Sequence, residues 1–357
     1  MTDPLQSAWA RLTAQMTLAG RRIDALTEGR DSAERAEGYR FLTRVMSTMI
    51  EFQMEQAEEW PTLAQVMFST RKFYADNPDT LYHRAPLNPR LGYRVYGQRV
   101  NELYLAFCVY GPNRILANLY DEEMVFDANG RFELVLSAQR PQDCVNWLPL
   151  GNAAHTLVTS QYFTEQHWSP AQLNIALLEP SAPPLLSTEQ MMARRLFGLG
   201  ESITRMLQTT ELASTDWLRR PNQVTIDSTV NSLVNLFATP DNQYVGGWYR
   251  LADDEMLVME GIAPTCRYWS VQLYSRWLES QDYLNRQVIL NHTQVRLEAD
   301  RSFRIAVAAR NPGLPNWLDT GGNREGGVIL RWLLPEGDTQ HQTFRVEKLP
   351  AFSPKLP

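Results

Sequence analysis

Two strand-rich regions of this chain resemble each other, and this internal repeat constrains the fold more than any other feature of the sequence. Residues 127–132 (DANGRF) align with residues 298–303 (EADRSF) at a spacing of 171 residues. Residues 146–148 and 316–318 are both Asn-Trp-Leu, at a spacing of 170 residues. Ordered matches at a long and nearly constant spacing indicate a duplicated structural unit. We therefore expect two halves with the same architecture.

Both regions have the composition of antiparallel β-structure. Residues 103–110 and 132–137 are rich in aromatic and β-branched side chains, and turn signals such as Asn129-Gly130 separate the strands. Short strands at this spacing favour a sandwich or barrel over parallel βαβ units. The sequence predicts an α+β protein with two similar antiparallel β-sandwich or jelly-roll-like halves and with N-terminal and inserted helices.

Helical patterns lie before and between the two strand-rich regions. Asp31 and Glu34 form a capping-box pattern ahead of an apolar stripe with helical spacing. Ser169-Pro170, Ser187 and Asp227 each begin a further helical pattern. These signals predict four segments: an N-terminal helical region over 1–72, a first sandwich half over 73–168, a helical insert over 169–239 and a second sandwich half over 240–357.

Composition and charge narrow the classes of partner. The 357 residues carry a net charge of -6 and contain no run of basic residues, so a nucleic-acid partner is not expected. No apolar stretch approaches the ~18 residues of a membrane span, and the first ten residues lack the pattern of a secretion signal. Three scattered cysteines favour neither a disulfide framework nor a zinc site. We expect a cytoplasmic protein that binds a small molecule, binds no membrane, and is compatible with assembly into a homo-oligomer.

Four motifs resemble the signatures of a bacterial protein family. They are residues 35–40 (RAEGYR), 76–82 (DNPDTLY), 268–274 (YWSVQLY) and 311–319 (NPGLPNWLD). The chain resembles the family called domain of unknown function 1214, which often occurs with its relative, domain of unknown function 1254. The resemblance implies an antiparallel sandwich with a central cleft, and it implies no agreed activity. One departure is Asn323, where the family often has His.

Motifs for nucleotide, metal and serine chemistry are missing from the sequence. Gly198-Leu199-Gly200 is not completed by a third glycine, and no Walker-type loop or Gly-x-Ser-x-Gly motif occurs. No two of the five histidines have the spacing of a helical metal site. We therefore expect no metal and no cofactor.

The segment 76–84 is the first candidate site, because it concentrates polar groups at the junction of a loop and a strand. Asp79 is a candidate general acid or base, and Tyr82 a candidate hydrogen-bond donor. Asp76, Asn77 and Arg84 are candidate substrate-binding residues. The alternative is structural: a turn held by Asp76 and Asn77, with an ion pair between Asp79 and Arg84.

The segment 316–319 is the second candidate site. Asn316 and Trp317 could bind a hydroxylated ligand, and Asp319 is a candidate catalytic acid or base. Because Asn and Trp recur in the first half, the alternative for these two residues is a purely architectural role. Pro149 stands at the position that corresponds to Asp319, so the carboxylate belongs to one half only.

Tyr268 and Trp269 are the third candidates for binding substrate, with Trp269 on the strand face expected to line a cleft; the alternative is ordinary packing in a sheet. The first candidate segment is aligned through Asp76-Asn77 with Asp241-Asn242, which leaves Asp79 without an acidic counterpart. Function is therefore expected where the halves differ, at Asp79 and Asp319.

These residues suggest that the protein binds a small amphipathic, hydroxyl-bearing molecule in a cleft lined by aromatic, Asp and Asn side chains. If it is an enzyme, we expect cofactor-free acid/base chemistry by a hydrolase or lyase, of which a glycosidase with paired carboxylates is one form. The alternative is a non-catalytic carbohydrate- or lipid-binding module.

Overall fold

The computed structural model describes residues 3–112, 114–180, 188–227, 239–337, 339 and 342–350. The chain forms two compact units. The first comprises residues 1–73 and 77–210, and the second comprises residues 74–76 and 211–357. The short segment 74–76 thus belongs to the second unit although its neighbours in sequence belong to the first.

Three long helices are described: α1 (Pro4–Leu26), α2 (Ser32–Ile50) and α3 (Glu189–Arg219). The side chain of Asp31 caps α2 by accepting a hydrogen bond from the Ala33 amide, as the capping pattern predicts. A π-helical turn, Glu51–Glu55, follows α2 directly. The predicted cap Ser187 lies outside the described residues, as does the predicted helix Asp227–Ala238 except for Asp227, which ends a strand. Within the described part of the chain, no helix combines the length and apolar character needed to cross a membrane.

Each unit contains a five-stranded and a four-stranded sheet, and strand order is the same in both units. In the first unit the orders are β1-β2-β8-β4-β5 and β7-β6-β3-β9, and in the second they are β10-β11-β17-β13-β14 and β16-β15-β12-β18. Neighbouring named strands are antiparallel except for one parallel pair in each unit, β6 with β7 and β15 with β16. The strands of the first unit are β1 (Ala64–Gln65), β2 (Thr80–Pro86), β3 (Tyr93–Gln98), β4 (Tyr104–Tyr110), β5 (Ile115–Tyr120), β6 (Arg131–Ser137), β7 (Asn146–Pro149), β8 (Thr156–Tyr162) and β9 (Gln172–Leu177). Those of the second unit are β10 (Val224–Asp227), β11 (Asn242–Arg250), β12 (Glu255–Ile262), β13 (Tyr268–Tyr274), β14 (Ile289–Asn291), β15 (Ser302–Ala308), β16 (Trp317–Asp319), β17 (Glu325–Leu333) and β18 (Thr343–Lys348).

The predicted fold class, with two similar sandwich halves, is therefore confirmed. In each unit one face of both sheets forms the core, because alternate residues of a strand point to opposite faces. In the first unit this core contains Val95, Phe107 and Leu134, all fully buried. In the second unit Trp269 and Trp332 lie in the corresponding layer.

The strand register corrects one detail of the predicted repeat. Thr80 pairs with Tyr162 in the first unit, and Asn242 pairs with Leu333 in the second. The residue before each pair makes the same backbone bond: the Asp79 carbonyl accepts from the Phe163 amide at 2.8 Å, and the Asp241 carbonyl accepts from the Leu334 amide at 2.7 Å. Asp79 therefore corresponds to Asp241. The expectation that it has no acidic counterpart is wrong, since a sequence match anchored on Asp76-Asn77 is shifted by three positions from the register of the sheets.

The predicted helical insert also differs from the structure. Ser169-Pro170 precedes strand β9, which pairs with β3, instead of opening a helix. Pairing with an existing sheet edge outweighs the local helix-start signal here. Strand β10 lies after α3 and pairs with β11, so the segment 169–239 contributes one strand to each unit as well as a helix.

Candidate functional site

The second unit has a buried polar surface on the side of its five-stranded sheet that faces away from the sandwich core. Ser270 and Gln272 alternate with apolar residues along β13, and Arg331 lies on the adjacent strand β17, in register with Ser270. Their exposed fractions are 1%, 1% and 4%, respectively. We call these three residues the polar face. Polar side chains so deeply buried on a sheet are unusual unless they are bonded or bind something.

Two polar atoms of this face have no hydrogen-bond partner among the described residues. They are the hydroxyl oxygen of Ser270 and the amide oxygen of Gln272. The amide nitrogen of Gln272 is used, because it donates to the Asp76 carbonyl at 3.1 Å. An unsatisfied buried acceptor costs about 1–3 kcal/mol, so the pair favours a partner that can both donate and accept.

Arg331 brings a positive charge to the polar face. One terminal nitrogen of its guanidinium donates to the Ala75 carbonyl at 2.9 Å, and the group lies 5.4 Å from the centre of the Tyr244 ring. A guanidinium buried beside an aromatic ring is well suited to hold a carboxylate or a polarised oxygen.

A strained backbone segment lies against this face. Tyr74 and Ala75 have φ values of 51° and 57°, and Leu278, whose carbonyl accepts from the Ala75 amide at 2.8 Å, has φ of 54°. Left-handed conformations cost a non-glycine residue about 1–2 kcal/mol each. Such strain concentrates at ligand clamps and active sites, where the surrounding structure enforces it.

Asp76 fixes the strained segment to the second unit. Its carboxylate oxygens accept from the amide of Ser280 at 2.8 Å and from the Ser280 hydroxyl at 2.7 Å, and its carbonyl accepts from Tyr274. Asp76 is 4% exposed. It was predicted to bind substrate; in the structure it positions the segment that lies beside the polar face.

The rest of the first candidate segment lies in the first unit. Asn77 donates to the Thr80 hydroxyl and accepts from the Asp79 amide, so it holds a turn as the structural alternative predicts, whereas the Asp76 carboxylate bonds to Ser280. Tyr82 and Arg84 lie on one face of β2, two residues apart. Asp76 thus belongs to the second unit and residues 77–84 to the first.

The alternative ion pair of Asp79 with Arg84 does not form. Arg84 instead donates to the Gln56 amide oxygen at 2.5 Å and to the Thr156 hydroxyl at 3.4 Å. Burial outweighs the nearby Glu51 charge and lowers the pKa of Arg84 to about 10.

The prediction that Trp269 lines a cleft is wrong. Trp269 is 3% exposed and packs between the sheets, with its ring centre 5.0 Å from that of Trp332. Tyr268 is fully buried on the opposite side of the strand, where its ring centre lies 5.6 Å from that of His292. The strand alternation was foreseen, but the face that carries Trp269 is the core.

Asn316 and Trp317 have the architectural role given as their alternative. The Asn316 amide group accepts from the Arg296 amide and donates to the carbonyls of Arg296 and Arg304. The Trp317 indole donates to the Ala308 carbonyl at 3.0 Å. These bonds join β16 to its own sheet.

Asp319 lies at the end of β16, next to the loop that follows. One carboxylate oxygen lies 3.0 Å from the Arg286 guanidinium, and the other accepts from the Gly321 amide at 2.7 Å. Its side chain is 15% exposed. Leu148-Pro149 and Leu318-Asp319 occupy equivalent strand positions, so this carboxylate is truly confined to the second half.

Sequence reasoning missed the polar face, although one signal was available. Residues 268–274 alternate polar and apolar side chains, and Arg331 interrupts the otherwise apolar run 328–333. In a strand that is buried on both sides, polar residues at alternate positions lie on one face and so indicate a polar face of the sheet. Within the described ranges, His, Cys, Asp and Glu side chains do not gather in groups of three that could hold a metal ion.

Part of the chain matches a known protein family. Residues 246–337 match the sequence profile of the family described as "Protein of unknown function (DUF1214)", which confirms the resemblance for that segment. A protein from Burkholderia cenocepacia, described as uncharacterised, has a solved structure with a TM-score of 0.91 at 29% identity, covering 98% of this chain and 99% of that one. The VPA0106 protein from Vibrio parahaemolyticus has the same fold, with a TM-score of 0.54 at 14% identity, over 87% of this chain and 97% of its own. No curated protein sequence matches the chain.

Proposed function

We propose that the second unit binds a small amphipathic molecule through a hydroxyl group held between Ser270 and Gln272. The observation that carries this proposal is the pair of buried oxygens on one face of β13 that have no hydrogen-bond partner in the part of the chain that the structure describes. Side chains two residues apart on a strand are separated by about 7 Å, so one hydroxyl can donate to the Gln272 oxygen and accept from Ser270.

The surroundings favour an amphipathic ligand. Tyr268 and Tyr274 flank the two polar residues along the strand, and both are buried. Arg331 supplies a cation on the neighbouring strand. A ligand with an aromatic or aliphatic body, a hydroxyl and a carboxylate matches these groups.

The test compares mandelate with phenylacetate, which differ by one hydroxyl. Isothermal titration with the full chain is expected to show that mandelate binds at least tenfold more tightly than phenylacetate. A tenfold difference in affinity corresponds to about 1.4 kcal/mol, which one buried, hydrogen-bonded hydroxyl can contribute. Ser270→Ala should remove that preference and leave phenylacetate binding unchanged. Thr343→Ala, on an exposed strand of the same unit, is the matched control.

Equal affinity for the two compounds, or a preference that survives in Ser270→Ala, would overturn the proposal. An ester of mandelate, followed for hydrolysis by water to mandelate and the free alcohol, tests the acid/base form of the proposal. Hydrolysis lost in Asp319→Asn or Asp79→Asn but kept in Ser270→Ala would support a hydrolase over a binding protein.

A further inference from the structure

A second unusual arginine lies in the first unit, separate from the polar face. Arg84 lies on β2, and its guanidinium carbon is 4.3 Å from the centre of the Phe52 ring. Phe52 belongs to the π-helical turn Glu51–Glu55 that follows α2. Single π-helical turns occur frequently at functional sites, because they displace side chains from regular helical positions.

The hydrogen-bond partners of Arg84 are neutral. Gln56 and Thr156 accept its two donated bonds, and among the described residues no carboxylate lies within ion-pair distance of it. The nearby Glu51 carboxylate is bonded to Arg71 instead, at 2.5 Å. A partly buried cation without a counter-ion is costly, and proteins normally supply a carboxylate partner at such a position.

Gln56 adds a second donor beside the guanidinium. It is 8% exposed, and its amide oxygen is the group that accepts from Arg84. The amide nitrogen is buried and has no acceptor among the described residues. Two groups that can only donate therefore lie side by side in a desolvated position, which is the arrangement that binds oxyanions.

We propose that Arg84 and Gln56 form a binding site for a small oxyanion, a carboxylate or a phosphate. The anion accepts from the guanidinium and from the Gln56 amide, and it supplies the charge that the first unit lacks at this point. Arg84 keeps part of its surface exposed, whereas Gln56 is buried. The proposal does not depend on the proposed hydroxyl-binding pair Ser270 and Gln272, which belongs to the second unit.

The test is the thermal midpoint of the full chain, titrated with inorganic phosphate or with acetate at constant ionic strength. The thermal midpoint of the wild type is expected to rise and then saturate with increasing phosphate or acetate. The anion that raises the midpoint more identifies the class of anion that binds. Arg84→Met should abolish the shift and raise the midpoint in anion-free buffer, because it replaces an unpaired charge by an apolar chain of similar length. Arg90→Met, which removes an exposed arginine of the same unit, should retain the full shift.

Gln56→Met keeps the guanidinium and is expected to weaken the effective anion by at least threefold, so the proposal is tested even if Arg84→Met does not fold. A linear, non-saturable response of the wild type, or the same curve in Arg84→Met, would overturn the inference. Ser270→Ala should leave the anion response unchanged, so the two proposals fail separately.

Discussion

Asn146 and Asn316 make the same three hydrogen bonds at equivalent places in the two halves. Asn146 accepts from the Val125 amide and donates to the carbonyls of Val125 and Glu133, as Asn316 does with Arg296 and Arg304. Asn146 is the first residue of β7, and Asn316 directly precedes β16; these are the strands that form the parallel pair of each unit. A parallel strand cannot be joined to its neighbour by a hairpin turn, and in both units these asparagine bonds tie the parallel strand to the preceding chain.

The first prediction follows from that equivalence. Asn146→Ala and Asn316→Ala should each lower the free energy of unfolding of their own unit by about 2–3 kcal/mol, because each leaves buried backbone groups unpaired. Urea unfolding followed by tryptophan fluorescence measures the loss. Asn152→Ala, in an exposed turn of the first unit, should change the free energy by less than about 0.5 kcal/mol. A large loss in only one of the two units would contradict the shared role.

The internal repeat allowed the fold to be predicted from the sequence. Predicting the candidate site also required knowing which face of strand β13 packs in the core. The Asn-Trp-Leu matches placed two halves correctly because buried turns and strand anchors keep their residue types. The faces of β13 could not be assigned, since both are buried and Trp269 fits either one. The position of Asp76 in the second unit was equally hidden, because it depends on contacts with Ser280, about 200 residues away.

The second prediction concerns the ion pair of Asp319 and Arg286. Asp319→Asn keeps an acceptor for the Gly321 amide and loses only the partly exposed ion pair. The expected loss of stability is below about 1 kcal/mol, and it should shrink further in high salt. Denaturant unfolding at low and high sodium chloride measures both effects, with Arg286→Gln completing a double-mutant cycle. A loss of several kcal/mol would show that Asp319 has a structural role beyond this pair.

The third prediction is a pH dependence at Glu260. Hydrogen bonds from Arg345 on the adjacent strand β18 lower the pKa of Glu260 below its ordinary value of 4.5. A lowered carboxyl pKa contributes stability above the ordinary pKa, and this contribution is lost as the pH falls through the folded-state value. The stability difference between the wild type and Glu260→Gln should therefore be largest near neutral pH and vanish in acid. Urea midpoints measured from about pH 7 to pH 3 check the sign, and a difference that grows in acid would contradict it.

The fourth prediction compares the loss of stability on replacing two tryptophans that differ in burial, Trp332 and Trp147. Trp332 is fully buried against Trp269, so Trp332→Ala should cost about 3–5 kcal/mol. Trp147 is only partly buried, and its indole donates to the Ser137 hydroxyl at 3.1 Å, so Trp147→Ala should cost about 1–2 kcal/mol. Thermal unfolding of both variants measures the order. Trp168→Ala, at a side chain that is 73% exposed, is the control, and a larger loss for Trp147 than for Trp332 would contradict the assigned cores.

The last prediction tests the strained segment beside the polar face. Ala75 has φ of 57°, a conformation that costs alanine about 1 kcal/mol and glycine almost nothing. Ala75→Gly should therefore leave the free energy of unfolding unchanged or raise it by up to about 0.5 kcal/mol. The stability gained by removing the backbone strain is partly offset by the greater entropy of the unfolded glycine chain. Ala75→Val introduces a β-branched side chain at the same φ and should lower it by at least about 2 kcal/mol. Denaturant unfolding of the two variants gives the comparison. If the glycine variant lost stability and the valine variant kept it, residue 75 would not be left-handed in solution, and the strain would no longer support a ligand clamp at Ser270 and Gln272.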